Sequence, residues 1–209
     1  MPARPVQAVV ALILLVGCSQ AAAPEELRYP TDFSAADLAR IVLQPGEAPP
    51  GTDFVEQSSG PFALEEFWPS TCCPVQQEAF GDAGFSSAYG TIFEKPGHSG
   101  DPIDARPGVE VASSQAALFL DDAGASEAML AWIDYHAAPE LGPAPTEGLG
   151  EESAGFVGNP NAPAETLILY FWRIGPLVLN LRVSGGAGSI GVDDVRALAD
   201  RMNARAAEA

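Results

Sequence analysis

The sequence has few of the residues on which most catalytic and metal centres depend. It contains two histidines and three cysteines among 209 residues, and neither histidine lies near a nucleophile motif. The C-x-x-C spacings and histidine clusters that are typical of zinc and copper sites are missing. The pair Ser113 and Ser114 lies in no G-x-S-x-G elbow. We therefore expect a non-enzymatic protein without a cofactor or a metal site.

Basic residues are also scarce. Ten lysines and arginines stand against 28 aspartates and glutamates, so the formal net charge is −18. A protein that binds nucleic acid needs clustered lysine and arginine to displace counterions from phosphates. The acidity therefore argues against a nucleic-acid partner. Because the acidic residues are scattered and form no long block, they are interpreted as a solubilising surface.

The apolar run near the start of the chain is too short to cross a membrane alone. It extends from Ala8 to Gly17, ten residues, whereas a membrane-spanning helix needs about 20 apolar residues. Arg4 precedes the run and small polar residues follow it, an order typical of a signal peptide. Residues 1–17 are therefore predicted to be removed during export.

The end of this segment resembles the bacterial lipobox, in which aliphatic and small residues precede a cysteine. Leu15, Val16 and Gly17 stand before Cys18. The resemblance implies cleavage after Gly17 and lipid attachment at Cys18, and the two or three acyl chains expected there would anchor the protein durably. The prediction is an extracytoplasmic bacterial envelope protein whose lipid anchor is its membrane partner, with residues 18–33 as a tether. The alternative is a cysteine that follows an ordinary signal peptide.

The remaining chain predicts one α+β domain over residues 34–209. Strand-like and helix-like stretches alternate, an order that indicates an antiparallel sheet with packed helices. Ser34 predicts a helix start, and two dense β-type runs joined at Gly175 and Pro176 predict a hairpin. Besides the hairpin strands, the predicted strands are residues 52–58, 85–96, 109–122 and 153–158. The predicted helices are 122–138, 192–206 and one or two short helices within 61–84.

The order of these segments carries a resemblance to a group of known proteins. The segments are VLQPGEAPPGTDF, AGFSSAYGTIFEKPG, FLDDAGASEAMLAW, GLGEESAGF and YFWRIGPLVLNLRV, together with the lipobox and a terminal helix. They are similar to bacterial cell-envelope lipoproteins with a PsbP-like or mycobacterial-lipoprotein-like α/β sandwich. The resemblance implies a fold and an envelope location, and little about chemistry.

Two adjacent cysteines, Cys72 and Cys73, are the most chemical feature of the predicted domain and lie outside that resemblance. Thiols outside the cytoplasm tend to be oxidised, so the pair predicts a vicinal disulfide or two free thiols. One hypothesis is a redox or soft-metal site, with His98 or His136 as a third ligand. The alternatives are a structural disulfide and a cross-link to a partner.

Three glycines near the C-terminus spell G-x-G-x-x-G between a strand and a helix. They are Gly186, Gly188 and Gly191. A dinucleotide-binding unit needs a second parallel strand and an acidic residue about 20 positions later. The chain ends too soon for such a unit, so the glycines are interpreted as a connector.

The leading functional hypothesis is a binding module of the envelope. Its partner would be an envelope protein or an apolar small molecule held between sheet and helices. Trp68, Trp132 and Trp172 are most simply core residues, although an aromatic-lined pocket is an alternative. A second hypothesis is an exported redox or metal-handling protein that uses Cys72 and Cys73. A hydrolase with unrecognised residues is the third.

Overall fold

The computed structural model describes residues 29–97, 109–136, 138–158 and 165–209. The predicted signal peptide and the lipobox, including Cys18, lie outside these ranges. His98 also lies outside them. The described strands are β1 (Asp53–Phe54), β2 (Gly60–Phe62), β3 (Phe85–Glu94), β4 (Val109–Phe119), β5 (Gly142–Pro143), β6 (Glu152–Gly158), β7 (Glu165–Ile174) and β8 (Leu177–Gly186). The described α-helices are α1 (Ala35–Ile41), α2 (Leu64–Phe67), α3 (Pro74–Asp82), α4 (Asp122–His136) and α5 (Val192–Ala207).

The eight strands form one antiparallel sheet. Seven of them follow the order β1-β3-β4-β8-β7-β6-β5, and β2 pairs with β3 along the same edge as β1. Every pairing is antiparallel. The helices pack on this sheet, so the predicted α+β class is confirmed.

The predicted hairpin is confirmed as β7 and β8. Its closing pair is Ile174 and Leu177, which leaves Gly175 and Pro176 as a two-residue turn. Gly175 has a φ of +53°, a region that glycine enters without the steric cost that a Cβ would bring. Turn chemistry therefore fixes the register of the two central strands.

The prediction of a first strand over 52–58 is wrong in its length. Pairing with β3 involves only Asp53 and Phe54, and residues 56–58 form a 3₁₀ turn. Gly60, with a φ of +144°, then redirects the chain into β2. Both β2 and β5, which were not predicted, contain a proline and lie at sheet edges, where a missing N–H costs no ladder bond.

The two faces of the sheet are covered by different helices. Side chains alternate between the faces along each strand. One face, here called the α5 face, packs against α1 and α5 and carries Tyr170, Trp172, Leu179 and Leu181. The other, the α4 face, packs against α2, α3 and α4.

No described helix is both long and apolar enough to span a membrane.

Candidate functional site

The α4 face is covered by helices along only part of its length. Under α4 the sheet is apolar, with Ala117 and Phe119 on β4, Phe171 on β7 and Val178 on β8. Further along the same two strands, at alternate positions, β4 carries Gln115 and Ser113 and β8 carries Asn180 and Arg182. Helix α4 ends at His136. The face therefore changes from an apolar core to a polar floor near the end of the helix.

Register places the four polar residues in two adjacent pairs. Gln115 lies opposite Asn180, and Ser113 lies opposite Arg182. Cross-strand partners have Cβ atoms about 5 Å apart, so their side chains share one patch of surface. The Asn180 amide is buried and donates to the Tyr170 carbonyl oxygen over 3.1 Å. This bond holds one member of the floor in place.

Aromatic side chains from α4, the end of α2 and the residue after it lie over this floor and border a cavity of about 170 Å³ that opens to solvent. We call it the aromatic pocket. It is lined by Phe67, Trp68, Ser113, Gln115, Trp132, Tyr135, His136, Asn180 and Arg182. A cavity of about 150 Å³ in a protein interior accepts benzene, so the aromatic pocket has room for one small ring.

The rings of the wall hold one another in edge-to-face contact. Phe67 and Trp132 have centroids 5.2 Å apart, and Trp68 and Tyr135 have centroids 5.0 Å apart. Such pairs are stabilised beyond the area that they bury. The Trp68 indole N–H is buried without an acceptor in the described part of the chain. A buried donor that is left unpaired costs free energy.

Arg182 is the unpaired cation of this site. The other described arginines each lie within ion-pair distance of a carboxylate, whereas none of the described residues accepts a hydrogen bond from Arg182 or forms an ion pair with it. Its side chain is exposed, but the surrounding protein desolvates the guanidinium enough to lower its pKa. None of the residues that line the aromatic pocket is acidic.

His136 adds no charge at neutral pH. Burial, and then the nearby positive charge of Arg182, lower the pKa of His136 to about 4. Its ring lies 5.9 Å from that of Phe171 and 4.9 Å from that of Tyr135. The imidazole is therefore neutral at pH 7, and Arg182 supplies the charge of the pocket.

This shift predicts a pH dependence of stability. Between its unfolded value, about 6.5, and its folded value, His136 binds more protons in the unfolded chain. The contribution of neutral His136 to the free energy of unfolding is therefore fully present above about pH 6.5. As the pH falls from about 6.5 towards 4, the free energy of unfolding decreases by up to about 1.4 kcal/mol for each pH unit. Urea unfolding at pH 6.5 and pH 5 should show this loss, and His136→Gln should flatten it. Equal slopes for both proteins would contradict the assignment to His136.

The two cysteines of the predicted pair lie beside the aromatic pocket. In the structure Cys72 and Cys73 are joined by a disulfide immediately before α3. Cys72 is exposed and Cys73 is buried, and the Cys73 Sγ lies 3.6 Å from the hydroxyl of Tyr135. No metal-binding cluster occurs among the described residues. The oxidation state of the native pair and its function stay predictions.

The glycine motif has an arrangement unlike a phosphate cradle. Gly191 caps α5, and its N–H donates to the Asp194 carboxylate over 3.2 Å. Asp193 and Asp194 both lie in the first turn of the helix. An anion at this helix N-terminus would meet two negative charges, which supports the interpretation of these residues as a connector.

The sequence patterns did not single out Arg182, Asn180 or Gln115. A signal was present, because Asn180 and Arg182 interrupt the dense apolar run LVLNLRV at alternate positions and must therefore share one face of the strand. Of the residues that were considered, Trp68, Trp132 and His136 lie together in the pocket, whereas Trp172 lies on the α5 face.

Comparison with known proteins shows a likeness in fold but none in sequence family. No family model matches the sequence, and no curated protein matches it. The fold is similar to the crystal structure of the extracellular domain of PknH from Mycobacterium tuberculosis, with a TM-score of 0.52 and 10% sequence identity. The match covers 85% of this chain and 98% of that domain. At this identity the likeness establishes the fold alone.

Proposed function

We propose that this chain is a lipid-anchored, extracytoplasmic module that binds a small molecule in the aromatic pocket and catalyses no reaction. The observation that carries the proposal is the pocket itself, a concave site in which the polar groups of the floor converge beside the rings of Phe67 and Tyr135. One of those groups, Arg182, has no partner in the described part of the protein. A partly desolvated cation has a lower free energy when an anionic ligand pairs with it.

Two observations support the extracytoplasmic location. The signal-like segment and the lipobox order before Cys18 are features of exported lipoproteins. The structural relative is also an extracellular domain. The net charge of −18 would repel anionic headgroups, so attachment to a membrane would depend on acyl chains rather than on the domain surface.

The anchor is tested by replacing the lipidated atom. In a bacterial host the unaltered protein should enter the detergent phase of a Triton X-114 extraction and carry acyl groups on an N-terminal Cys18. Cys18→Ser should remain in the aqueous phase, whereas the matched change Ser19→Ala should not alter partitioning. A protein that retains Met1, or a Cys18→Ser variant that partitions like the parent, would contradict the proposal.

Binding is tested with the three tryptophans as reporters. Trp68 and Trp132 line the pocket, whereas Trp172 is buried on the opposite face. In ¹⁵N NMR spectra, benzoate or benzamide should shift the indole signals of Trp68 and Trp132 in a saturable way and leave that of Trp172 unchanged. Neither probe shifting any indole, or Trp172 shifting as much as the other two, would contradict binding at this site.

The alternative function, redox chemistry at Cys72 and Cys73, is favoured by the exposure of Cys72. The reduced pair would convert oxidised glutathione to two thiols while it forms its own disulfide, so that two electrons and two protons are transferred. Mass spectrometry of the peptide that contains Pro74 should then show the loss of two hydrogens. The redox function would be contradicted if the pair stayed oxidised under mild reduction, or if it reacted with oxidised glutathione no faster than a free dithiol does. The binding function would then be the one proposal that stands.

A further inference from the structure

From the geometry of the aromatic pocket we infer that its ligand is a small monoanionic carboxylate that carries a planar ring. This inference rests on the proposed function and adds the chemical class of the ligand. It follows from the single cation at the floor, the aromatic rings of the wall and the absence of acidic groups from the lining.

The cation is the first step. Arg182 presents a planar guanidinium that forms two parallel hydrogen bonds with a carboxylate. It is exposed, lines the pocket and has no carboxylate partner among the residues that the structure describes, although acidic residues outnumber basic residues by 28 to 10 in the chain. An apolar ligand would leave this charge without a partner.

The aromatic side chains of the wall indicate that the ligand carries a planar ring. Tyr135, 47% exposed, and the half-buried Phe67 offer ring surface to the cavity. Trp68 and Trp132, 5% and 1% exposed, support these two rings from the core side in edge-to-face contact. Rings pack against such a surface with favourable stacking geometry. A cavity of about 170 Å³ has room for one ring with its carboxylate.

The single positive charge of the pocket favours a ligand with one negative charge over a ligand with several. With His136 neutral at pH 7, one positive charge faces the ligand. Sites for phosphate groups usually combine several cations or a row of backbone N–H groups, and neither occurs in the lining of the pocket. The overall charge of −18 further disfavours multiply charged ligands.

Three probes of the same shape test the inference. Benzoate, benzamide and benzamidine differ chiefly in charge, and isothermal titration at pH 7 measures each with the protein purified in detergent. Benzoate should bind about 10- to 100-fold more tightly than benzamide, the range expected for one charge-assisted contact. Benzamidine should bind more weakly than benzamide.

Arg182→Gln should lower the affinity for benzoate to about that for benzamide, because glutamine keeps a hydrogen-bond donor but carries no charge to pair with the carboxylate. The matched control is Arg40→Gln, which removes one positive charge from the exposed end of a paired arginine on α1 and should change neither affinity. Should the Arg182 variant not fold, the ratio of benzoate to benzamide affinity in the unaltered protein still decides.

The outcomes separate the two proposals. If benzamide binds as tightly as benzoate, the carboxylate inference is wrong while the binding function stands. If none of the three probes binds, the proposed function fails at this pocket as well. Equal losses in Arg182→Gln and Arg40→Gln would assign the preference to the overall field of the protein and overturn the role of Arg182.

Discussion

Replacing Gly124 with alanine should destabilise the protein by about 1–3 kcal/mol, the range seen for overpacked interiors. Gly124 lies in the first turn of α4, where that helix crosses the end of α3. A Cβ there would lie 2.0 Å from the Ala83 carbonyl oxygen. Because backbone atoms occupy this space, α4 would have to shift, and Trp132, which lies on α4, would move with it.

The same substitution at Gly81 provides the control. Gly81 lies in α3, and its Cβ would meet only the Leu64 Cδ2 at 3.5 Å, an ordinary contact. Alanine has a higher helix propensity than glycine, so Gly81→Ala should leave the free energy of unfolding unchanged or raise it by up to about 1 kcal/mol. Urea denaturation measures both variants. Similar changes in the two would show that α4 tolerates displacement from α3.

Replacing Arg205 with alanine should cost about 2–4 kcal/mol, because it removes the cation paired with Glu47 and three hydrogen bonds to carbonyl oxygens in a partly buried site. Gln44 still donates to Glu47 and to the Val42 carbonyl oxygen. The Ile41 carbonyl oxygen, in contrast, loses both of its bonds to Arg205. Arg205 on α5 donates to the Ile41 and Val42 carbonyl oxygens at the end of α1, over 2.9–3.1 Å. It also donates to both oxygens of Glu47, over 2.8 and 3.0 Å. One guanidinium thus joins α1, the following turn and α5.

Arg201 is the matched control for Arg205, one turn earlier on the same helix. Its guanidinium lies 3.8 Å from Glu47, and its side chain is 52% exposed. Exposed pairs of this kind contribute little, so Arg201→Ala should change the free energy of unfolding by less than about 0.5 kcal/mol. Equal losses for the two variants would mean that overall charge, rather than the contacts of Arg205, holds α1 to α5.

Local chemistry made part of the fold predictable. The predicted cap at Ser34 is confirmed, since its N–H donates to Asp37 over 2.8 Å at the start of α1. The β7–β8 hairpin followed from Gly175 and Pro176 between two dense β-type runs. These features depend on residues close in sequence, where pattern and turn preference are sufficient.

The site itself depends on relations that short patterns do not encode. Arg182 faces Ser113 only because β4 and β8 pair in a particular register, and the two strands are separated in sequence by α4, β5, β6 and β7. Helix α4 ends at His136 and does not extend over the polar residues of β4 and β8. The floor of the pocket is therefore not covered by this helix. Sequence periodicity predicts which residues share a face but not how far a helix covers it.

A crystal structure of the protein grown with benzoate tests the central claim most directly. We expect benzoate in the aromatic pocket, its ring against Phe67 and Tyr135 and its carboxylate within hydrogen-bond distance of the Arg182 guanidinium. An empty pocket at a benzoate concentration that saturates the titration, or a carboxylate turned away from Arg182, would contradict the claim that this arginine and its aromatic walls form the ligand site.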